Sequence, residues 1–482
     1  MAYLILDLGS SSVRALRYES SGAAVPGVLA RRTYAFRTGA NGEVTAEFGT
    51  LAALAEDCLD EALAHPSAGG LEAVGMATFA GSLVGLDAQG DALTPVFTYA
   101  DTQPAADAAA LAQETDAHAA HQRTGCRLHP AYQPARLRWL ARTQPETFAR
   151  AAQWADVSSA LYRRWFGRPV PMSHSIAAWS GLLNRATLDW DEDWLALLGV
   201  TSEHFPRLAD WREAQRGLAP SFAARWSALK DTPFFLPVGD GAAANMGSGG
   251  VAGVPVLTLG TTGAIRVIHA AAQRLLPGAL WEYCLDDDRR LLGGATTEGG
   301  STADWCRNAL GLTQADLAAA LARPADGHGL TALPLFAGER SPGWNAAAAA
   351  TLHGLKTGTD RFDIAQALLE SAGLRLRAVA EALGVRGQPL LAGGGAIAAL
   401  PGWAAVLASA MGCPLRLIDE PEPTARGVAL LLGEVIAPGA AVKPPAIRAD
   451  IAPDGEAAAR FEAAAKRQQA LYRALYDGQS AG

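Results

Sequence analysis

The chain of 482 residues has little lysine, no paired cysteines and no cluster of positive charge. Its net charge is −8, whereas nucleic-acid backbones require clustered lysine and arginine, so we expect no nucleic-acid partner. The cysteines are scattered without a C-x-x-C pair, which is typical of reduced thiols in a cytoplasmic protein. The lysines are Lys230, Lys356, Lys443 and Lys466, and the cysteines are Cys58, Cys126, Cys284, Cys306 and Cys413.

The distribution of apolar and charged residues along the sequence also predicts no signal peptide and no unbroken membrane span. The apolar start of the chain has no basic residues and is interrupted by Asp7. Residues 387–415 carry no charge, which raises a transmembrane alternative. However, three glycines at 393–395 and Pro401 interrupt this stretch, and broken backbone is not tolerated facing lipid. We therefore expect a strand, a glycine turn and a buried helix here, in a cytoplasmic protein with no membrane partner.

Several catalytic motifs are absent, and their absence excludes whole classes of enzyme. There is no G-x-x-x-x-G-K-[ST] and no H-E-x-x-H, so P-loop and zincin mechanisms are excluded. The one G-x-S-x-G match, at residues 478–482, has no predicted strand before it, so we expect no nucleophile elbow. A dinucleotide-binding alternative stays open, because Gly393-x-Gly395-x-x-Ala398 follows a predicted strand. No repeated βα units precede it.

What the chain does have is a strand–turn–helix corner at residues 234–245, with Asp240 at its centre. An apolar run, 234–238, is predicted to be one strand, and the small residues after Asp240 can begin a helix. Open α/β folds place their ligands at the carboxyl ends of strands, so Asp240 is a candidate functional carboxylate. The alternative is that Asp240 only caps the next helix.

Two hairpins with glycine- and hydroxyl-rich tips lie roughly 250 residues apart. The first joins predicted strands at 3–8 and 13–18, and the second joins strands at 254–259 and 264–268. Such tips offer backbone N–H groups and hydroxyls to a phosphate, and Asp7 can hold a hydrated Mg²⁺. Ordinary hairpins remain the alternative. The repeat predicts a duplicated architecture of two similar domains that face each other, 1–245 and 246–482.

The rest of the chain alternates between strands and helices. Residues 101–212 are predicted to be mainly helical, a tryptophan-rich insertion that covers a pocket mouth and whose aromatic residues are mostly core. The tail after Pro438 is predicted to be a loop that leads to a final amphipathic helix. Further strands are expected at 28–36, 71–78, 281–285, 290–294 and 414–418, and helices at 51–63, 301–310, 364–383, 403–411 and 427–436.

These motifs resemble a known family. Asp7-Leu-Gly-Ser-Ser-Ser-Val-Arg14 is similar to the first phosphate loop of the actin/hexokinase superfamily. Gly239-Asp-Gly241, Gly260-Thr-Thr-Gly263, Gly338-Glu-Arg-Ser-Pro342 and Glu422-Pro-Thr-Ala-Arg-Gly427 resemble the FGGY carbohydrate kinases. The stretches 93–102 and 129–136 look most like the gluconokinase branch. The resemblance implies an α/β fold of two ribonuclease-H-like (actin-like ATPase) domains, with mixed central sheets flanked by helices and a cleft between them.

The resemblance also implies an activity: ATP- and Mg²⁺-dependent phosphorylation of a sugar or sugar acid, with a gluconate-type substrate as the first choice and Asp240 as the base. Asp7 and Asp240 would be the metal ligands. The implied nucleotide-binding residues are Asp7, Gly9, Ser10, Ser11, Ser12, Arg14, Gly260, Thr261, Thr262, Gly300, Asp304, Gly394 and Gly395. The implied substrate-binding residues are Thr78, Phe79, Ala80, Gly81, Asp101, Tyr132 and Asp240.

The sugar side departs from the family pattern. Ala80 and Gly81 stand where related kinases place bulky or polar side chains, and Tyr99 and Gln103 replace the tryptophan and arginine of a Trp-Ala-Asp-Thr-Arg pattern. The second change removes a guanidinium that could pair with a carboxylate. A pentulose or polyol kinase and a catalytically silent sugar sensor therefore stay open as alternatives, as does a homodimer.

Overall fold

The first hairpin joins β1 (Ala2–Leu8) and β2 (Ser12–Glu19), which pair antiparallel. The structure is a computed structural model that describes residues 2–65 and 70–476. Every residue of β1 is buried, so its nearly continuous apolar run marks a central strand. The next elements are β3 (Ala24–Thr33), β4 (Arg37–Thr38), β5 (Val44–Ala46), α1 (Phe48–Ala64), β6 (Leu71–Thr78), β7 (Val84–Leu86) and β8 (Val96–Phe97).

The insertion is mainly helical, as predicted, with short strands between the helices. Five of its predicted tryptophans are buried in the core, but Trp179 is only partly buried and lines a cavity. Its elements are α2 (Ala105–Glu114), α3 (Ala117–Thr124), α4 (Gln133–Thr143), α5 (Pro145–Arg150), β9 (Gln153–Ala155), α6 (Val157–Phe166), β10 (Met172–Ser173), α7 (His174–Ala177), β11 (Leu183–Asn184), β12 (Asp189–Trp190), α8 (Glu192–Leu198), β13 (Leu208–Ala209), β14 (Ala214–Gln215) and α9 (Pro220–Arg225).

The corner around Asp240 consists of β15 (Phe234–Phe235), β16 (Val238–Gly239) and α10 (Asp240–Gly247). The prediction of one continuous strand is wrong, because Pro237 has no N–H to donate to the neighbouring strand. Both pieces still pair parallel with β6. The first seven-stranded sheet has the order β14-β15-β6-β1-β2-β3, with β16 also on β6. Because β1, β6 and β16 run parallel, their carboxyl ends share one edge of the sheet.

The second half begins with the other hairpin, β17 (Val256–Leu259) and β18 (Gly263–Ala270). Its seven-stranded sheet has the order β19-β20-β18-β17-β23-β24-β25. The remaining elements are β19 (Trp281–Cys284), β20 (Arg289–Thr296), α11 (Gly300–Leu310), α12 (Gln314–Leu321), β21 (Thr331–Leu333), β22 (Thr351–His353), α13 (Arg361–Ala382), β23 (Leu390–Gly393), α14 (Gly395–Ala399), α15 (Gly402–Met411), β24 (Leu415–Asp419), α16 (Pro423–Ile436), β25 (Ala446–Ile451) and α17 (Gly455–Tyr476).

The two sheets repeat one arrangement, which confirms the predicted duplication. In the first, β1 pairs antiparallel with β2, β2 pairs with β3, and β6 lies parallel to β1. In the second, β17 pairs antiparallel with β18, β18 pairs with β20, and β23 lies parallel to β17. Residues 387–415 form the predicted strand, glycine turn and helix. None of the helices described could cross a membrane.

Helix α16 belongs to the second half of the chain but packs against the first sheet. A Cβ at Gly427 would lie 1.8 Å from the carbonyl oxygen of Ala243, so the backbones of α16 and α10 are in direct contact. A Cβ at Gly75 of β6 would lie 2.5 Å from the Val428 side chain and 2.9 Å from the Leu432 side chain, so α16 also packs closely on β6. The helix carrying Asp240 is therefore held in place by a helix that begins about 180 residues later in the chain.

Candidate active site

Asp240 is the first residue of α10, directly after β16. Its Oδ1 accepts a hydrogen bond of 2.7 Å from the Gly241 N–H, and the Ala80 N–H also donates to the carboxylate. The N-cap position of α10 is Gly239, with no side-chain capping bond, so the capping alternative is wrong. Burial raises the pKa of Asp240, and the positive charge of Arg266 and the two N–H donors oppose that rise.

The Asp240 side chain faces a cavity of about 230 Å³ between the two halves of the chain. This volume lies below the roughly 300–1,000 Å³ typical of drug-sized ligands, so the cavity suits a small molecule. The first half contributes Ala80, Gly81, Tyr99, Ala131, Tyr132, Trp179, Asp240, Gly241 and Ala244 to the lining. The second half contributes Thr258, Thr262, Arg266, Trp281, Tyr283, Ala295, Arg340 and Thr424.

Asp7, at the end of β1, is a second buried carboxylate near Asp240. Its Oδ2 accepts a 2.6 Å bond from Arg14, whose other guanidinium nitrogen pairs with Glu422. Its Oδ1 is buried and has no hydrogen-bond partner among the residues described. Burial raises the pKa of Asp7 to about 7; Arg14 opposes this rise, and the negative charges of Asp240 and Glu422 add to it. An orphaned carboxylate oxygen beside a second carboxylate fits a hydrated divalent cation, so these residues suit Mg²⁺.

The first glycine turn is tightly closed by its own backbone. The Gly9 N–H donates to the Ser12 carbonyl at 3.0 Å, and the Tyr34 hydroxyl donates to the Gly9 carbonyl. Ser12 is buried, Ser10 is hydrogen-bonded to Tyr99, and Ser11 is exposed at the tip. The Ser11 hydroxyl is therefore the group of this turn most accessible to a ligand.

The second glycine turn meets two other glycine-rich segments. The Gly260 carbonyl accepts a 2.7 Å bond from the Gly300 N–H at the start of α11, and the Thr261 carbonyl accepts 3.1 Å from Ser301. Gly394 has φ of +115°, and a Cβ there would lie 2.4 Å from the Leu259 carbonyl oxygen, so only glycine fits. The structure thus brings together the predicted residues Gly260, Thr261, Thr262, Gly300, Gly394 and Gly395. Asp304 lies farther along α11, exposed and paired with Arg307.

The predicted substrate residues separate into two groups. Ala80, Gly81, Tyr132 and Asp240 line the cavity, whereas Thr78 and Phe79 are buried beneath it and Asp101 lies outside its lining. The fully buried Asp101 carboxylate accepts bonds from the N–H groups of Val44 at 3.0 Å and Gln103 at 3.2 Å. Asp101 therefore braces the loops behind the cavity.

Apart from Tyr132, the aromatic and cationic residues of the cavity were not predicted from the sequence. Trp179 stacks on Tyr283 with ring centroids 3.8 Å apart, Tyr283 stacks on Trp281 at 4.3 Å, and the Tyr283 and Tyr132 hydroxyl oxygens lie 2.6 Å apart. These rings come from both halves of the chain, so only the assembled fold places them together. One signal was present: Arg266 is a lone charge within the apolar run of β18.

Comparisons with known proteins agree with this geometry. Residues 2–247 match the N-terminal domain model of the FGGY family of carbohydrate kinases, and residues 256–433 match its C-terminal domain model. A gluconokinase of Bacillus subtilis is 28% identical over 317 residues, which cover 63% of this chain and 61% of that protein's length. A glycerol kinase of Aromatoleum aromaticum is 30% identical over 460 residues, which cover 90% of each chain.

Solved structures show the same fold. A gluconate kinase from Lactobacillus acidophilus aligns with a TM-score of 0.89 at 22% identity, covering 98% of each chain. A structure described as a xyloylose kinase from Brucella ovis aligns with a TM-score of 0.89 at 26% identity, covering 99% of this chain and all of that one (100%). The predicted fold class, two actin-like ATPase domains with mixed sheets flanked by helices, is confirmed.

Proposed function

Because the chain belongs to the FGGY family of carbohydrate kinases, we propose that it transfers the γ-phosphate of ATP to a hydroxyl of a small sugar or sugar acid. One observation carries this proposal: Asp240 faces a small cavity lined by both halves, and Thr262 of the second glycine turn lines the same cavity. A gluconate-type substrate is the first choice, because gluconokinases are among the relatives and the cavity contains two arginines. A pentulose or polyol is the second, since a xylulose kinase of Escherichia coli is also 28% identical, over 319 residues.

Asp240 acts as the general base in this mechanism. It accepts the proton of the sugar hydroxyl as that oxygen attacks the γ-phosphorus and the bond to the β-phosphate oxygen breaks. The Gly241 and Ala80 N–H groups hold the carboxylate in a fixed orientation, and Arg266 favours its ionised form. The cavity walls limit the access of water, which would otherwise compete with the sugar for the phosphoryl group.

The glycine turns bind the nucleotide in this proposal. Ser11 and Arg14 of the first half and Thr261 and Thr262 of the second contact the phosphates, and Gly300 and Gly395 border the adenosine. Asp7, with Asp240, would hold Mg²⁺, which neutralises phosphate charge when bound. The catalytically silent alternative has no supporting observation among the residues described.

A coupled ADP-release assay with gluconate, xylulose, ribulose and glycerol tests the proposal. We expect sugar-dependent ADP release with at least one of these compounds. The release should be lost in Asp240→Asn and retained in Asp231→Asn, which changes an exposed aspartate just before β15. If a sugar raises the melting temperature of the protein but never causes ADP release, the protein is a sugar sensor and the proposal is wrong.

A further inference from the structure

Two arginines line the cavity without a charged partner of their own. Arg266 comes from β18 and Arg340 from the loop between β21 and β22. Within residues 2–65 and 70–476, neither guanidinium has a carboxylate oxygen within 4.0 Å, and the Nε atom of each is buried without a hydrogen-bond partner. Arg266 donates only to the Thr258 hydroxyl, at 3.3 Å, and Arg340 hydrogen-bonds the Tyr132 hydroxyl.

Other buried arginines of this chain bind acids or carbonyls through their terminal guanidinium nitrogens, although the Nε atoms of Arg136 and Arg375 are also without a partner. Arg375 pairs with Glu339, Arg426 pairs with Glu420, and Arg136 donates to the carbonyls of Gly81 and Thr98. A buried charge without a partner is costly, so an unpaired guanidinium in a cavity indicates a ligand of opposite charge. Among the residues that the structure describes, Asp240 is the only carboxylate in the cavity lining, which leaves one positive charge in excess.

Arg340 lines the same small cavity that Asp240 faces, and this favours the sugar as that ligand. Because the proposed base must contact the sugar hydroxyl, a guanidinium in the same cavity can reach another group of the same sugar. The loop that carries Arg340 is anchored on both sides: Glu339 pairs with Arg375, and the Ser341 N–H donates to the Ala295 carbonyl at 3.0 Å. Arg340 is therefore held at a fixed place before any ligand arrives.

We propose that Arg340, with Arg266 beside it, binds the carboxylate of a sugar acid. The inference rests on the proposed function and narrows it to an acidic substrate. It also explains how a sugar acid can bind although this chain departs from the family pattern at Gln103, Ala80 and Gly81. The first half has no guanidinium at those positions, and the second half supplies the positive charge across the cleft. Charge-assisted bonds from guanidinium to carboxylate are bidentate and strong enough to set specificity.

The test compares gluconate with xylulose as substrates of the wild-type protein, Arg340→Gln and Arg340→Lys, at saturating ATP and Mg²⁺. We expect Arg340→Gln to lower the ratio of kcat/KM for gluconate to that for xylulose roughly 30-fold, mainly through the KM for gluconate. Arg340→Lys should lose less, because it keeps the charge. Arg416→Gln, an exposed arginine of β24, is the control and should leave the ratio unchanged.

A binding measurement separates this inference from the proposed function. Calorimetry with Asp240→Asn, which should bind without turnover, compares gluconate with sorbitol, a neutral compound of equal length; we expect gluconate to bind at least tenfold more tightly. If no sugar causes ADP release but gluconate still binds preferentially, the kinase proposal fails and carboxylate recognition stands.

Other results overturn the inference alone. These are a wild-type preference for xylulose or sorbitol, or an Arg340→Gln protein whose kcat falls equally for every substrate, as expected if the guanidinium contacts the transferred phosphoryl group. Thermal unfolding identifies a misfolded variant. If Arg340→Gln is misfolded, Arg340→Met replaces it in the same comparison, with the same outcomes counting against the inference.

Discussion

Asp7 lies near the carboxyl end of β1 and Asp240 directly follows β16, at the same edge of the sheet, and burial raises the pKa of both. Their environments differ in a way that suits different roles. Asp240 is oriented by two N–H donors and faces the cavity, whereas Asp7 has one oxygen bound to Arg14 and one without a partner. At the residue scale, we therefore propose that Asp240 accepts the proton and that Asp7 is the main ligand of the metal.

The base assignment predicts a selective loss in Asp240→Asn. An amide cannot accept the hydroxyl proton, so kcat should fall by ~10³ or more, while the Kd for ATP changes little because the turns that bind phosphate are intact. Steady-state kinetics with equilibrium ATP binding measure both quantities. A variant that keeps a tenth of the wild-type kcat would contradict the assignment.

The raised pKa of Asp7 predicts a pH-dependent effect on stability. An unfolded aspartate titrates near 3.9, so between about pH 4 and the native value of about 7 the folded state binds the extra proton. The stability contributed by this group therefore decreases as pH rises through that window. Asp7→Asn removes the effect, so in EDTA its melting temperature relative to wild type should be several degrees higher at pH 8 than at pH 4.5. An equal difference at both pH values would show that Asp7 titrates normally.

At the scale of elements, α10 and α16 set the position of Asp240 through close backbone contact. Gly427→Ala would place a methyl group 1.8 Å from the Ala243 carbonyl oxygen, so the helices must separate. We expect a loss of about 1–3 kcal/mol in the free energy of unfolding and a lower kcat, because α10 carries the base. Gly402→Ala in α15 is the matched control, since nothing lies within 4 Å of its added Cβ. Equal stability of the two variants in urea unfolding would refute the contact.

The elements that the sequence predicted well are those whose signal is local. β6 has its predicted bounds, because residues 73–78 form a buried, mainly apolar run that ends at a turn signal. The strand β25 was missed, because it is an exposed edge strand whose burial alternates only weakly and whose pairing with β24 is decided by the fold. The helix α16 begins at Pro423, before the predicted start, since proline suits the first turn of a helix.

At the scale of the whole molecule, one core cluster unites residues from both halves. Val428 and Leu432 of α16 and Trp281 and Tyr283 of β19 belong to the same apolar cluster as β1 and β6. The phosphate turns and the segment 338–342 that carries Arg340 could be recognised from local motifs. The contact of Arg340 with the cavity, and the stacked rings of Trp179, Trp281 and Tyr283, could not be predicted. These side chains reach the cavity only because strands distant in sequence are brought together.

This shared core predicts that the first half does not fold alone. A fragment of residues 1–250 lacks α16 and exposes the apolar face of β1 and β6, so we expect it to unfold without a cooperative transition. Co-expression with residues 251–482 should restore a folded complex. A fragment with a sharp melting transition of its own would show that the halves are independent.

The most direct measurement of the central claim is ³¹P NMR of the protein incubated with ATP, Mg²⁺ and gluconate. The account predicts that the γ-phosphate signal decreases while a phosphate-ester signal of equal intensity grows, and that Asp240→Asn produces no ester on the same timescale. Production of inorganic phosphate without an ester, or ester formation by Asp240→Asn at the wild-type rate, would contradict it.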